Sequence, residues 1–197
     1  MPTQPDPQPL TIPVLPTLSG RFVLRPFTLA DAPDVHEHLN DPRIAPWTAN
    51  IEYPYPEGAA EGWIATHAPA AAAGEAVTWA IVTPGDDRTI GAIAIHLAQN
   101  HRRGEIGYWL ATPFWGRGVM TDAARTVVAY GFETLGLHRI QATCLPHNVG
   151  SYRVMEKAGM VREGILRDYV VHKAGEYADI AMYAIVAGRE GDAQASR

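Results

Sequence analysis

Apolar positions along this chain change their period several times, and each change marks an element. Residues 21–25 alternate and predict a first strand. Thr28 or Asp31 can cap a short helix that runs to about Asn40, where Asp41-Pro42 ends it. A second helix is predicted from Glu57 to about His67, followed by a connector of small residues at 68–75. Residues 77–83 and 89–97 read as two strands of a hairpin turning at Pro84-Gly85-Asp86-Asp87. The run 104–110 is apolar and aromatic-rich, as a strand requires, and Pro113 breaks it off. From Val119 the period becomes helical. Val119, Ala123 and Val127 form one stripe, Met120, Ala124 and Val128 its neighbour, and the helix ends near Leu135-Gly136. A strand at 139–144 follows, then a helix at 148–157 stopped by Gly159 and a strand starting at 160–165. Lys173-Ala174-Gly175-Glu176 is a turn, and 177–186 alternates into a last strand.

This order, without internal repeats, predicts one layered α/β or α+β domain over residues 20–187. Residues 1–19 hold six prolines and read as a disordered tail, and residues 188–197 read as a polar one.

Composition narrows the function. With 197 residues, 47% hydrophobic and 19% charged, the chain suits a single soluble core, and no apolar run approaches the roughly 20 residues that span a bilayer. The start carries no secretory pattern, so a cytoplasmic location and no membrane partner are expected. Cys144 is the single cysteine, which excludes an internal disulfide and a cysteine-based metal site. His36 and His38 diverge on their helix, and no metal is expected. The net charge of −5 argues against a nucleic-acid partner. Its distribution is uneven. Thr28 to Glu61 carries seven acids and one base, whereas Arg102 to Arg167 carries nine Arg/Lys against five acids. One region favours a cation and another an anion, unless these are simply solvated faces.

Two clusters carry candidate chemistry. In the first, Trp115-Gly116-Arg117-Gly118 lies between a strand and a helix. A helix start leaves N–H groups unpaired and partly positive, and glycine lets an anion approach the main chain closely. No Gly-Lys-Ser/Thr follows, so this is not a Walker loop, and it lacks the third glycine of a dinucleotide fingerprint. It is either a plain glycine turn or a phosphate cradle. In the second cluster, Asn148 precedes a helix and Ser151 follows one turn later, so both can line one opening, or serve as a cap and a surface serine.

In this order and at this separation, the two clusters resemble the GNAT superfamily of acetyl-CoA-dependent N-acetyltransferases. Leu24-Arg25-Pro26 with Leu29-Ala30-Asp31-Ala32 is similar to that family's opening. Residues 105–110 with 115–121 resemble the strand and pyrophosphate loop of its ribosomal-protein N-terminal acetyltransferase (RimJ/RimL-type) branch. Asn148, Ser151 and Glu156-Lys157-Ala158-Gly159-Met160 resemble the segment beside the pantetheine.

The resemblance implies a mostly antiparallel sheet of six to seven strands, splayed at the cofactor, with helices on both faces. It implies acetyl-CoA as co-substrate, held by Gly116, Arg117, Gly118, Val119, Met120 and Thr121 at the pyrophosphate, and by Leu110 and Asn148 along the pantetheine. Arg153 or Lys157 would meet the nucleotide phosphates. The family's usual acid tyrosine falls on Met155, so the resemblance moves that role to Ser151, where the RimJ/RimL branch carries a serine. The family's base positions fall on Thr143 and Val170. Glu105 and Asp168 are the carboxylates nearby, with a water as the alternative. The implied reaction is direct attack of an amine on the thioester. The acceptor is a protein N-terminus or a small amine, expected to be cationic, with Trp47, Tyr53 and Tyr55 as an aromatic wall or as loop seals. A non-catalytic acyl-CoA sensor, an acyltransferase using a larger acyl group, and a homodimer through exposed strands remain open.

Overall fold

A computed structural model describes residues 8–172 and 175–188 of the chain. Thirteen regular elements carry the fold. They are β1 (Leu15–Pro16), β2 (Val23–Arg25), α1 (Ala32–Leu39), α2 (Ala59–Ala65), α3 (His67–Ala72), β3 (Ala76–Thr83), β4 (Asp86–Ala98), β5 (Arg103–Leu110), α4 (Val119–Glu133), β6 (Arg139–Cys144), α5 (Val149–Lys157), β7 (Val161–Val171) and β8 (Tyr177–Val186).

All strands join one eight-stranded sheet in the order β1-β2-β3-β4-β5-β6-β8-β7. Every neighbouring pair is antiparallel except β5 and β6, which run parallel. The parallel pairing covers only Arg103 to Ile106 against Arg139 to Ala142. Beyond it the two strands separate, and the main chain of 107–110 faces β6 without a ladder partner. This is the splay the resemblance implies.

Strand alternation divides the core. Ile93, Ile95 and Ile106 pack on one face with Val119, Ala123 and Val127 of α4 and Met155 of α5. Ala92 and Trp109 pack on the other with Val35 and Leu39 of α1 and Ala60 and Ile64 of α2. Helices therefore cover both faces. Gly131 lets α4 sit close to the sheet, since an added Cβ would come within 2.6 Å of Ile140 Cδ1. Among the described residues no helix is long and apolar enough to cross a membrane.

The structure departs from the sequence expectations in three places. The expected strand count of six to seven becomes eight because Leu15–Pro16 pairs with β2. Residues 8–19, expected as part of a free tail, lie on the fold. Trp79 Nε1 donates to the Pro13 carbonyl at 2.8 Å, Thr17 is buried, and the Ser19 N–H and Oγ both bind the Asp122 carboxylate of α4. Outside the short β1 pairing, the proline-rich run supplies carbonyls and apolar surface to the fold. Finally, the small-residue connector at 68–75 contains α3, whose His67 and Ala71 are buried against the sheet. Residues 1–7 and 189–197 of the predicted tails, and Lys173 and Ala174 of the predicted turn, lie outside the described residues.

Candidate active site

The splay between β5 and β6 opens into a cavity of about 690 Å³ that runs from the start of α4 to the loop after α1. Gly118 stands at one end of it. It caps α4 at φ +79°, and Gly116 stands at φ +72°, both in the left-handed region that favours glycine. No side chain caps α4, so the first-turn N–H groups of Val119, Met120 and Thr121 have no capping partner and carry the helix's positive end. Gly116, Gly118, Val119, Met120 and Thr121 all line the cavity. Arg117 does not; its guanidinium lies over the Phe114 ring, 5.9 Å from the centroid.

On the opposite wall, Asn148, Ser151, Arg153 and Lys157 of the α5 region line the same cavity. Asn148 is the helix cap, its Oδ1 accepting from the Ser151 N–H at 3.1 Å. Leu110 lines the cavity too, but its carbonyl already accepts from Trp115 Nε1 at 2.7 Å.

Ser151 Oγ lies 2.8 Å from the hydroxyl of Tyr108, which also reaches the Ser151 carbonyl at 3.1 Å. Burial pushes the Tyr108 phenol well above its ordinary range, opposed only in part by its bond to Ser151. Cys144 also faces the cavity, and burial raises its thiol above the usual value. Sequence reading placed Tyr108 in the strand as an aromatic and gave it no chemical role. No local pattern links residues 108 and 151, which only the tertiary fold joins.

The other candidates sit further off. Glu105 is not among the residues lining the cavity. Its carboxylate accepts from Gln141 Nε2 at 2.9 Å and from Thr143 Oγ1 at 3.4 Å, and Thr143 does line the cavity. Asp168 sits at φ +48° on the exposed side of β7, away from the cavity wall. Met155, the position of the expected tyrosine, is 1% exposed in the core, so it faces away from the opening.

The acidic stretch from Thr28 to Glu61 is partly neutralised. Arg25 pairs with Asp31 at 2.6 Å, Arg88 with Asp34 and Glu37, and Arg43 with Asp41. Two of these three arginines lie outside the stretch, so counting charge within it overstated the field. Of the three aromatics in this region, Trp47 lines the cavity and packs on His147 at 5.6 Å, whereas Tyr55 packs on His36 and the second core cluster. Tyr53 is exposed.

The sequence profile of the Acetyltransferase (GNAT) domain matches residues 21–161. The uncharacterized N-acetyltransferase YoaA of Bacillus subtilis is 40% identical over 58% of this chain, and the match spans 64% of YoaA, less than two thirds of its length. The uncharacterized N-acetyltransferase YnaD of the same organism is 30% identical over 84% of this chain and 94% of its own. The solved structure of Mycobacterium smegmatis RimJ in complex with CoA-disulfide superposes with a TM-score of 0.74 at 25% identity, covering 93% of this chain and 91% of that one.

Proposed function

The chain belongs to the GNAT acetyltransferase family, and on that premise we propose that it moves an acetyl group from acetyl-CoA to a primary amine by direct attack. One observation carries this reading. A single cavity joins an uncapped glycine-flanked helix start to an unpaired strand edge and is lined by a half-buried hydroxyl pair. These are the three features that a diphosphate, a pantetheine arm and a thioester require in turn.

In this reading the N–H groups of 116–121 hold the diphosphate, with Arg153 and Lys157 near the nucleotide phosphates. Asn148 uses Oδ1 as a cap, which leaves its Nδ2 to donate to a pantetheine carbonyl. An N–H of the strand edge at 107–110 polarises the thioester carbonyl. The amine nitrogen attacks, the N–C bond forms, and the C–S bond breaks with Ser151 donating to the leaving sulfur. The amine proton leaves through water and Thr143 towards Glu105, whose bond to Thr143 makes it a base at one remove. A neutral Cys144, held protonated by burial, is a poor nucleophile, which favours direct attack over an acetyl-enzyme.

For the acceptor we infer a peptide N-terminus or small amine entering past Trp47 and His147. A cationic preference rests on Glu52, Glu57 and Glu61, which have no ion-pair partner among the described residues. The test is an acceptor panel with acetyl-CoA, read as thiol release and acceptor mass. It contains peptides beginning with Ser, Ala or Met, polyamines and aminoglycosides. Thiol release with matching acetylation of one class supports the proposal. Tight acetyl-CoA binding without turnover on any amine favours a sensor, and turnover only with longer acyl-CoA favours a larger acyl donor.

A further inference from the structure

We propose that Tyr108 is a positioning residue for the acyl-transfer step: it holds the Ser151 hydroxyl so that the serine proton points at the departing sulfur. The inference rests on the acetyl-transfer reading above and adds a residue to it.

Three contacts fix the arrangement. Asn148 Oδ1 accepts from the Ser151 N–H, the two hydroxyl oxygens stand 2.8 Å apart, and Tyr108 Oη lies a longer 3.1 Å from the Ser151 carbonyl, so the single phenol proton is assigned to the shorter contact with Ser151 Oγ. Alternation along β5 sends Tyr108 to the same face as Ile106, towards α4 and α5, while Trp109 goes to the other. Tyr108, Ser151 and Cys144 all line the cavity.

The chemistry follows from what a serine does alone. A helical serine by default turns its O–H back to a carbonyl of the preceding turn, and so away from a ligand. Its oxygen can accept two hydrogen bonds but donate only one. When the Tyr108 O–H donates to Ser151 Oγ, the serine's own proton is left for a third group. A thioester sulfur seated at the end of the cavity is that group. Burial keeps Tyr108 protonated across the working pH range, so the pair does not lose its donor as pH rises.

Both hydroxyls are weaker acids than a thiol, so they share a proton with the sulfur rather than surrender it. The electron pair of the C–S bond goes to sulfur, and the amine's proton, taken up by Glu105 through water and Thr143, returns through solvent to the thiolate. Charge and atoms balance with no further reactant.

The test is a double-mutant cycle on the full chain. Tyr108→Phe, Ser151→Ala and the double variant are compared for kcat, KM for acetyl-CoA and calorimetric CoA affinity. The amine is the best acceptor of the panel, with slow hydrolysis of acetyl-CoA by water as an acceptor-independent readout. Each single change is expected to lower kcat by about 10- to 100-fold, within the range for proton-donor assistance. CoA affinity should stay within about threefold. The double variant should be no slower than Ser151→Ala, and Ser151→Thr should recover part of the rate. Additive losses, or a Tyr108→Phe enzyme with unchanged kcat beside an impaired Ser151→Ala, overturn the inference while leaving acetyl transfer intact. A Tyr108→Phe protein that loses CoA affinity or melting temperature, but not kcat at saturation, also overturns it, because Tyr108 is then only structural. No turnover by the wild type with any amine or water refutes the underlying reading instead.

Discussion

Replacing Gly118 with valine tests the anion-binding end of the site. Gly118 holds φ +79° at the cap of α4, where a β-branched residue costs roughly 1–2 kcal/mol of backbone strain. An added Cβ meets only Arg21 Nη2, at 3.6 Å, which is ordinary contact, so the protein has room for the side chain. The damage therefore comes from the shift in the main chain that relieves the strain, because that shift carries the neighbouring N–H groups with it. Losing two hydrogen bonds to a charged diphosphate removes about 3–6 kcal/mol, at about 1.5–3 kcal/mol each. That corresponds to CoA binding weakened by about two to four orders of magnitude. Gly136→Val is the control. It sits at φ +60° beyond the other end of α4 with nothing within 4 Å, and so imposes the same kind of strain far from the phosphates. Calorimetry should show the loss for Gly118→Val alone, with a similar fall in Tm for both variants. A folded Gly118→Val protein that binds CoA within about threefold of the wild type would refute the reasoning.

Three further outcomes follow from the packing and the charges. Burial pushes the His67 imidazole down to about 4, so an unfolded chain with an ordinary histidine takes up a proton that the fold refuses. Stability should fall by up to about 3 kcal/mol as pH drops from about 6.5 to 4, and denaturant titrations of His67→Phe should lack that fall. Arg25→Ala leaves Asp31 buried with only Thr28 and Thr89 as partners and should cost about 3 kcal/mol in urea denaturation; a loss below about 1 kcal/mol would show the ion pair is dispensable. With a polyamine acceptor, kcat/KM should fall modestly as salt rises to physiological strength, where the Debye length is about 8 Å, and no change would remove the case for a cationic acceptor.

Much of this protein can be read from its pattern. The strands at 139–144 and 177–186 match their predicted limits because each is a short apolar-rich run preceded by glycine-containing turn residues. The start of α4 is legible for the same reason, a change of period right after two glycines. What escapes is what lacks contrast. The α3 helix is built largely of alanines around His67 and Pro69, with no polar face to set its period. The β7 strand continues to Val171 as a mostly exposed edge strand, bulged between Leu166 and Val170, so alternation gives no signal. In the site, the glycines and Asn148 lie in local motifs and were visible. The Tyr108–Ser151 contact and the pairing of Arg88 with Asp34 span 43 and 54 residues, and such contacts leave no local trace. The shift of the tyrosine position onto a core methionine shows a limit of resemblance: it aligned the helix, but side-chain direction decides which residue reaches the ligand.

We propose that acetyl passes directly from CoA to an amine in the cavity between β5 and β6. A single-turnover experiment followed by intact-mass spectrometry tests it most directly, with enzyme mixed with one equivalent of acetyl-CoA before and after adding the best acceptor. Direct transfer leaves the protein unmodified throughout and puts one acetyl group on the acceptor nitrogen for each thiol released. An acetyl group appearing on the protein before the amine is added, at Cys144 above all, and passing from there to the acceptor would contradict it.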